Sequence, residues 1–391
     1  MRGILEESWE NRDGASIRRS QGTSPEINMP LDHYVTLGRS GLRVSPFCLG
    51  CMTFGDEWAA VGTHEAESLD VLGAYLDAGG NFLDTANIYT HGHSEVIIGD
   101  YFAGSPAISR DRVVIATKFA GNMHPGDPNG GGAGRKAIIH QLEDSLRRLR
   151  TDHVDLYWYH FQDRHTPVDE TMRALDQLVK DGKVRHIGFS DFPAWVVVQA
   201  QYESMLRGWE PLIALQIEYS LAQRTVEADL MPMARALGLG VTPWSPLRAG
   251  ILSGKYRRDG RPEVGTTRVA AESPHLSERN YDIIDVLIAI AEEIGASPAQ
   301  IALRWLQDRD GVTSTIIGAR RKDQLLDNLG ALSITLSPDQ TRRLDEVSVV
   351  EHAFPHPFLE NTPHTTQGGT NVNGFAGEQA AFLPQNSEQR W

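Results

Sequence analysis

Eight short apolar runs of strand length, each followed by a longer stretch of helical periodicity, constrain this chain more than any other feature. The runs lie at 44–49, 81–84, 113–117, 154–159, 184–189, 212–217, 241–244 and 315–317. Helical spacing follows at 64–78, 94–102, 135–149, 168–181, 193–207, 226–237, 279–295 and 322–329. Apolar strands followed by crossovers long enough for a helix predict parallel pairing with both sheet faces covered. Eight such units close most naturally into a (β/α)8 TIM barrel; a doubly wound open sheet uses similar units and is the competing topology. A hairpin is predicted ahead of the barrel, with arms at 34–37 and 42–45 around Gly38-Arg39-Ser40-Gly41. Thr63 reads as the cap of the first long helix and Gly79-Gly80 as its stop.

The same periodicities set the domain limits. Residues 1–29 carry neither period and read as a disordered leader, 30–350 as one barrel, and 351–391 as a C-terminal loop or tail rich in Pro, Gly, Asn, Thr and His. Two segments exceed the minimal repeat: the loop 247–279, and extra helices at 297–309 and 339–347. Formal net charge is −14, so the summed field repels phosphate and disfavours nonspecific contact with nucleic acid or an anionic membrane. An anionic ligand therefore needs a local basic cluster. No apolar run approaches the ~20 residues of a membrane span, and no signal core opens the chain, which predicts a cytoplasmic protein. The only two cysteines, Cys48 and Cys51, form a C-x-x-C without further ligands; they read as reduced thiols, and no metal site is assigned.

In a barrel of this kind the chemistry gathers at the C-terminal ends of the strands. Those ends carry Asp84, Lys118, His160, Ser190 with Asp191, Gln216 with Glu218, Trp244 with Ser245, and Gly318. Each alone has a structural explanation. Jointly an acid, a lysine and a histidine, with Tyr89 in the loop after Asp84, supply what carbonyl reduction needs: a proton donor, a group that tunes it and an oxygen-orienting donor. Tyrosine ordinarily titrates near ~10, and a neighbouring Lys118 ammonium is expected to make Tyr89 a better acid. Asp84 is expected to keep Lys118 charged, and His160 to hold the substrate oxygen.

At these residues the chain resembles the aldo-keto reductase superfamily over about residues 32–350, in particular the bacterial members that resemble potassium-channel β subunits. The resemblance rests on Phe82-Leu83-Asp84-Thr85-Ala86-Asn87-Ile88-Tyr89, Gly92-His93-Ser94-Glu95 with Gly99, and Thr117-Lys118. It continues through Asp155-Leu156-Tyr157-Trp158-Tyr159-His160, Ile187-Gly188-Phe189-Ser190 and Gln216-Ile217-Glu218-Tyr219-Ser220. Pro243-Trp244-Ser245-Pro246-Leu247 with Gly250, and Ile317-Gly318-Ala319 with Gln324 and Asn328, complete it. The resemblance implies a catalytic tetrad of Asp84, Tyr89, Lys118 and His160 and a nicotinamide cofactor held without a Rossmann domain. It implies that Gly50, Cys51, Met52 and Asp84 border the cofactor, that Ser190, Asp191 and Gln216 bind the carboxamide, and that Trp244 stacks on the ring. Ser245, Pro246 and Leu247 would line the pyrophosphate, Lys255 and Arg268 would fold over the cofactor, and Gly318, Arg320, Gln324 and Asn328 would surround the adenosine end. The cations Arg320, Arg321 and Lys322 at a helix start favour a 2′-phosphate, hence NADPH/NADP+.

The function implied is reversible NADPH-dependent reduction of small aldehydes and ketones, with Tyr89 as general acid. The alternative is an NADPH-binding regulatory or partner subunit with weak reductase activity. Two other motifs fail on context. The Gly-rich loop 126–134 lacks the Gly-Lys-Ser/Thr ending of a phosphate loop, and His91-x-His93 lies in a loop rather than at a strand end, with no acidic partner set accompanying it. Arg248 makes the loop after Trp244 bulky, and Arg320 stands where many relatives have Ser.

Overall fold

Alternation of side chains along each strand organises the molecule into two apolar layers around one sheet. In the computed structural model, which describes residues 30–58, 61–104, 109–258, 260, 269, 273 and 275–390, eight parallel strands form that sheet. They are β3 (Phe47–Gly50), β4 (Phe82–Asp84), β5 (Val114–Phe119), β6 (Val154–Tyr159), β7 (Val184–Ser190), β8 (Leu212–Glu218), β9 (Gly240–Trp244) and β10 (Thr315–Ile317). Their order is β10-β3-β4-β5-β6-β7-β8-β9. A parallel bridge from Val241 to Val312, with Thr313 N–H donating to Val241 C=O at 2.8 Å, brings the last strand back to the first. The result is a (β/α)8 TIM barrel.

On β5, Val114 and Ala116 point inward and Ile115 outward, as a period of two requires. The inward set also includes Phe82, Leu156, Trp158, Ala214 and Ile316. The outward set packs under α1 (Glu65–Asp77), α2 (His93–Gly104), α3 (Arg135–Leu149), α4 (Val168–Lys180), α5 (Ala194–Arg207) and α6 (Leu230–Leu237). Further helices follow as α7 (Glu278–Ile294), α8 (Pro298–Gln307), α9 (Lys322–Leu329) and α10 (Pro338–Val347). The sequence pattern pairs the 279–295 helix with the barrel and treats 297–309 as extra; in the structure α8 packs on β10, and α7 packs on α8 and α10. Ser297 and Ser337 close capping boxes with Gln300 and Gln340, which fixes the starts of α8 and α10. No single helix among the described residues is long and apolar enough to cross a membrane; α7 and α8 reach that length only together, across a 98° bend.

The N-terminal hairpin, β1 (Val35–Thr36) with β2 (Arg43–Val44), closes the bottom of the barrel. Leu37 and Val44 join the interior cluster. Gly38, at φ +56°, comes so close that a Cβ would sit 2.2 Å from the Ile213 carbonyl oxygen. Cys48 and Cys51 are free and buried; three residues apart on an extended chain, they fall into the inner and outer layers respectively.

Three local expectations differ from the structure. Thr63 does not cap α1: its backbone N–H and C=O both pair with Gly55, and His64 takes the cap position without a side-chain bond. The start of the 226–237 helix is a 3-10 turn at Thr225–Glu227, with α6 proper beginning at Leu230. The aperiodic tail contains α11 (His356–Glu360), α12 (Thr362–Thr366) and a hairpin of β11 (Asn371–Val372) and β12 (Phe375–Ala376). His356 reaches Asp229 at 3.2 Å. Residues 1–29 and Arg268 lie outside the described residues.

Within the barrel, Trp158 fills space that Gly188 leaves: a Cβ on Gly188 would lie 2.4 Å from the indole and 2.9 Å from the Ala214 carbonyl oxygen. Neither the ring nor the strand has room to retreat in a close-packed interior. Gly188→Ala is therefore expected to destabilise the fold by about 1–3 kcal/mol, read as a lower urea midpoint at unchanged slope.

Candidate active site

The alternation that fills the barrel also delivers its polar residues to one place. Continuing inward-facing positions by two reaches Asp84 after Phe82, Lys118 after Ala116, His160 after Trp158, Ser190 after Gly188 and Gln216 after Ala214. Register then sets neighbours: Gly50 lies beside Asp84, Lys118 beside Trp158, and Ser190 beside Gln216.

Lys118 is fully buried and Asp84 is 3% exposed. The ammonium donates to Asp84 Oδ2, to the Thr85 carbonyl oxygen at 2.8 Å and to the Tyr89 hydroxyl oxygen at 3.0 Å. Three donors thus meet three acceptors. The second Asp84 oxygen accepts from Gln216 Nε2 at 2.9 Å. Burial by itself pulls the Lys118 pKa down, but Asp84 and Tyr89 outweigh it and hold the ammonium well above its ordinary value.

For Tyr89 the balance is opposite. Burial pushes the phenol up, and the Lys118 charge, which pulls it down as expected, recovers only part of the shift. Tyr89 therefore keeps its proton at neutral pH.

Tyr89 is held by a strained turn. Thr90, His91 and Gly92 follow it at φ 45°, 56° and 90°. Left-handed non-glycine residues cost on the order of 1 kcal/mol each and persist only where contacts overdetermine them. Here Thr90 Oγ1 donates to the Phe54 carbonyl oxygen at 2.5 Å and accepts from Ser94 N–H at 3.0 Å. Beneath the turn, wholly buried Glu95 accepts from Thr117 Oγ1 at 2.5 Å and from Arg148 Nε at 2.7 Å. Glu95 thereby ties the helix that follows Tyr89 to the strand that carries Lys118.

His160 meets Tyr89 edge-on, with ring centroids 5.7 Å apart, and its Nδ1 is buried without a partner among the described residues. Burial first, and the Lys118 charge second, push its pKa down to about 2. The imidazole is neutral. Trp58 packs its ring edge on Tyr89 at 6.2 Å, and Phe161, 41% exposed, tilts against His160 at 5.0 Å. Sequence reasoning missed both aromatics: only the fold brings the loop at 54–58 over Tyr89, whereas Phe161, next to His160 in the chain, could have been read from its position alone.

Around this centre the other expected residues form two groups. Trp244 Nε1 donates to Asp191 Oδ1 at 2.9 Å, and Ser190 Oγ donates to Asp191 Oδ2 at 3.3 Å, so the ends of β7 and β9 are joined across the mouth. Asp191 and Ser245 both adopt left-handed φ, 57° and 54°. Pro246 is buried and Leu247 half-buried where the loop leaves β9. Arg248, also left-handed, is tied to Glu218 and approaches His275 Nδ1 at 3.3 Å. Lys255 packs its ammonium over the Tyr256 ring at 5.4 Å. Gly50 is buried and Met52 38% exposed. The Cys51 thiol lies in the outer apolar layer, and its N–H and C=O already bond Asp84 O, Ser94 Oγ and Phe54 N.

The second group surrounds the start of α9. Gly318 is open, Gln324 Oε1 accepts from the Arg320 N–H at 3.1 Å, and Asn328 is buried on the helix. Arg321 is paired with Asp323, whereas Arg320 and Lys322 make no ion pair among the described residues. His93, expected to lack acidic company, bonds Glu57 at 2.5 Å with Asp56 nearby; His91 does not join them.

His160 yields a stability prediction. The unfolded ring binds a proton below about 6.5 and the folded ring does not until about 2. Between those values the unfolded state holds more protons, so stability falls as pH falls. From pH 7 to 5 the wild type should lose about 2 kcal/mol more than His160→Gln in urea denaturation. Equal losses would mean that the ring is not held neutral.

Comparison with known proteins agrees with this geometry. The Aldo/keto reductase family model matches residues 46–349. An uncharacterized oxidoreductase, YrpG, of Bacillus subtilis is 39% identical over 333 residues, 83% of this chain and 96% of that protein. An aryl-alcohol dehydrogenase [NADP(+)] of Phanerodontia chrysosporium is 34% identical over 81% of this chain and 86% of its own. A norsolorinic acid reductase of Aspergillus flavus is 32% identical over 87% of each. The buried lysine at the mouth of an eight-stranded barrel and a family match across that barrel lead to one conclusion: the chain belongs to the aldo/keto reductase family and is an oxidoreductase.

Proposed function

We propose that this protein reduces small aldehydes and ketones, aromatic ones in particular, to alcohols with NADPH, reversibly, and that Asp84, Tyr89, Lys118 and His160 carry the chemistry. The observation that carries this reading is the contact set of Lys118, one buried ammonium bonded at once to Asp84, the Thr85 carbonyl and the Tyr89 hydroxyl. Because Lys118 donates to the Tyr89 oxygen, the phenolic hydrogen is left free to point at a carbonyl oxygen in the mouth. Nicotinamide supplies the hydride to the carbonyl carbon when bound. As negative charge develops on the substrate oxygen, Tyr89 gives up its proton and Lys118 stabilises the phenolate that remains. Asp84 keeps Lys118 charged throughout, and Gln216 keeps Asp84 oriented. His160, neutral over the whole physiological range, donates to the same substrate oxygen without adding a competing charge.

The residues present fit a dinucleotide. Trp244, braced by Asp191, offers a flat face for the nicotinamide ring, and Ser190, Asp191 and Gln216 offer polar groups for its carboxamide. Gly50, Met52 and the Cys51 backbone would border it, with Ser245, Pro246 and Leu247 along the pyrophosphate and Lys255 beyond them. Gly318, Arg320, Gln324 and Asn328 would take the adenosine end. Arg320 and Lys322, free of ion pairs among the described residues, favour a 2′-phosphate and so NADPH over NADH. The rings of Trp58 and Phe161 beside Tyr89 and His160 favour a flat aromatic substrate, in keeping with the aryl-alcohol activity named for one of the relatives. Two free buried thiols fit a cytoplasmic setting.

NADPH oxidation over a panel of aryl and alkyl aldehydes tests the reading. Tyr89→Phe should lower kcat by at least about a hundredfold while NADPH binding, followed by fluorescence, persists; unchanged turnover would falsify the mechanism. Arg320→Ala should weaken NADPH by about 10- to 100-fold, the value of one or two charge-assisted hydrogen bonds, and leave NADH nearly unchanged.

A further inference from the structure

Away from the mouth, the loop after β5 and the outer face of α3 bring two histidines to one carboxylate. We propose that His124, His140 and Asp144 form a binding site for a divalent transition metal, with zinc the best-fitting ion and water completing its coordination. His140 and Asp144 are four residues apart on α3 and therefore share a face. His124 arrives from the loop. The rings lie 5.3 Å apart at 68°, both directed at the same carboxylate.

Distances separate a metal site from a hydrogen-bonded cluster. Asp144 Oδ2 is 3.4 Å from His124 Nε2 and 3.5 Å from His140 Nδ1. Both exceed the roughly 2.7–3.2 Å of a good N–H···O bond. They match the separation of about 3.4 Å that tetrahedral geometry imposes on two ligand atoms each about 2.0–2.1 Å from zinc. All three ligand atoms lie within 4.8 Å of one another.

The site is also organised in advance. Arg147 holds Asp144 Oδ1 at 2.5 Å, which turns Oδ2 toward the rings, and only 12% of the Asp144 side chain is exposed. That is the role an outer partner plays for a ligating carboxylate. The loop braces His124 without help from the ion: His124 N–H donates to Asn122 Oδ1 at 2.8 Å, and Asp127 N–H donates to the His124 carbonyl oxygen at 3.0 Å. Two imidazoles and a carboxylate make the nitrogen and oxygen set that zinc accepts. The cluster of Asp56, Glu57 and His93 differs, because its groups are spent on hydrogen bonds: His93 to Glu57 at 2.5 Å and His64 to Asp56 at 3.0 Å.

A metal at this position staples the loop that leaves the mouth just beyond Lys118 to the helix behind it. Its effect falls on stability and loop order rather than on proton transfer.

Equilibrium dialysis of the full, untagged chain against zinc, with metal analysis, tests the site. Cobalt absorbance reports its geometry. One equivalent of zinc should bind, with a rise in Tm, and cobalt should give the visible bands of a tetrahedral ion. His124→Ala with His140→Ala should lower affinity by more than about a hundredfold and abolish the Tm rise, because two of three ligands are gone. Both rings are largely exposed, 45% and 58%, so the double variant keeps the fold. Glu57→Gln should bind as the wild type does. Absence of stoichiometric binding, retention by the double variant, or loss on Glu57→Gln would each overturn the proposal.

Discussion

A lysine with no exposed surface is the constraint to which the rest of this molecule answers. Removing an ammonium and a carboxylate from water costs several kcal/mol for each, and a close pair recovers that only if the remaining hydrogen-bonding capacity is filled. Lys118 and Asp84 meet the condition almost completely. Thr85 and Tyr89 take the other Lys118 hydrogens, and Gln216 takes the other Asp84 oxygen. Such a pair adds little to stability compared with apolar residues of the same size. Its value lies in the field it fixes: a permanent positive charge 3.0 Å from a phenol that burial alone would make a poor acid.

The barrel is the means of building that field. Inward positions below the rim are largely apolar, with Phe82, Ala116, Leu156 and Ala214 among them, so the charge pair rests on a floor that includes Trp158. The strain nearby follows from the same demand. Tyr89 must lean back over Lys118 immediately after its strand ends, and three left-handed residues make the reversal. Glu95 and Arg148 hold it from below, one helix to the next. A rearrangement of either group would move Tyr89 relative to Lys118, and at 3.0 Å small displacements change the interaction steeply.

What could be read in the sequence was whatever depends on period and on strand ends. The 154–159 and 315–317 runs coincide with β6 and β10, and 135–149 with α3, because buried parallel strands and an amphipathic helix write their limits in hydrophobicity. The meeting of Asp84, Lys118 and Tyr89 was legible because fold geometry converts strand ends into neighbours. Other features depend on contacts between distant loops. Thr63 looked like a cap, yet its backbone is claimed by Gly55; Trp58 had no visible reason to meet Tyr89; and Asp56 and Glu57 gave no sign of reaching His93. The effect of Lys118 on Tyr89 has the direction expected from charge, but desolvation is larger, and desolvation is a property of the packed site that sequence does not show. The short elements beyond residue 351 carry no period because five-residue helices and two-residue strands are too short to show one.

For an acidic protein, the anionic dinucleotide proposed above poses an electrostatic question that net charge does not answer. At physiological ionic strength fields decay over about 8 Å, so a formal charge of −14 spread over the whole chain acts weakly on a phosphate until it is close. Within that range individual groups decide. Arg320 and Lys322, unpaired among the described residues, stand at the start of α9, where the helix dipole adds to their charge. Arg321 beside them is neutralised by Asp323. On the proposed reading, selectivity between two dinucleotides that differ by one phosphate would fall to two side chains and a helix end, while the surrounding acidity disfavours polyanions too large to approach by a single phosphate.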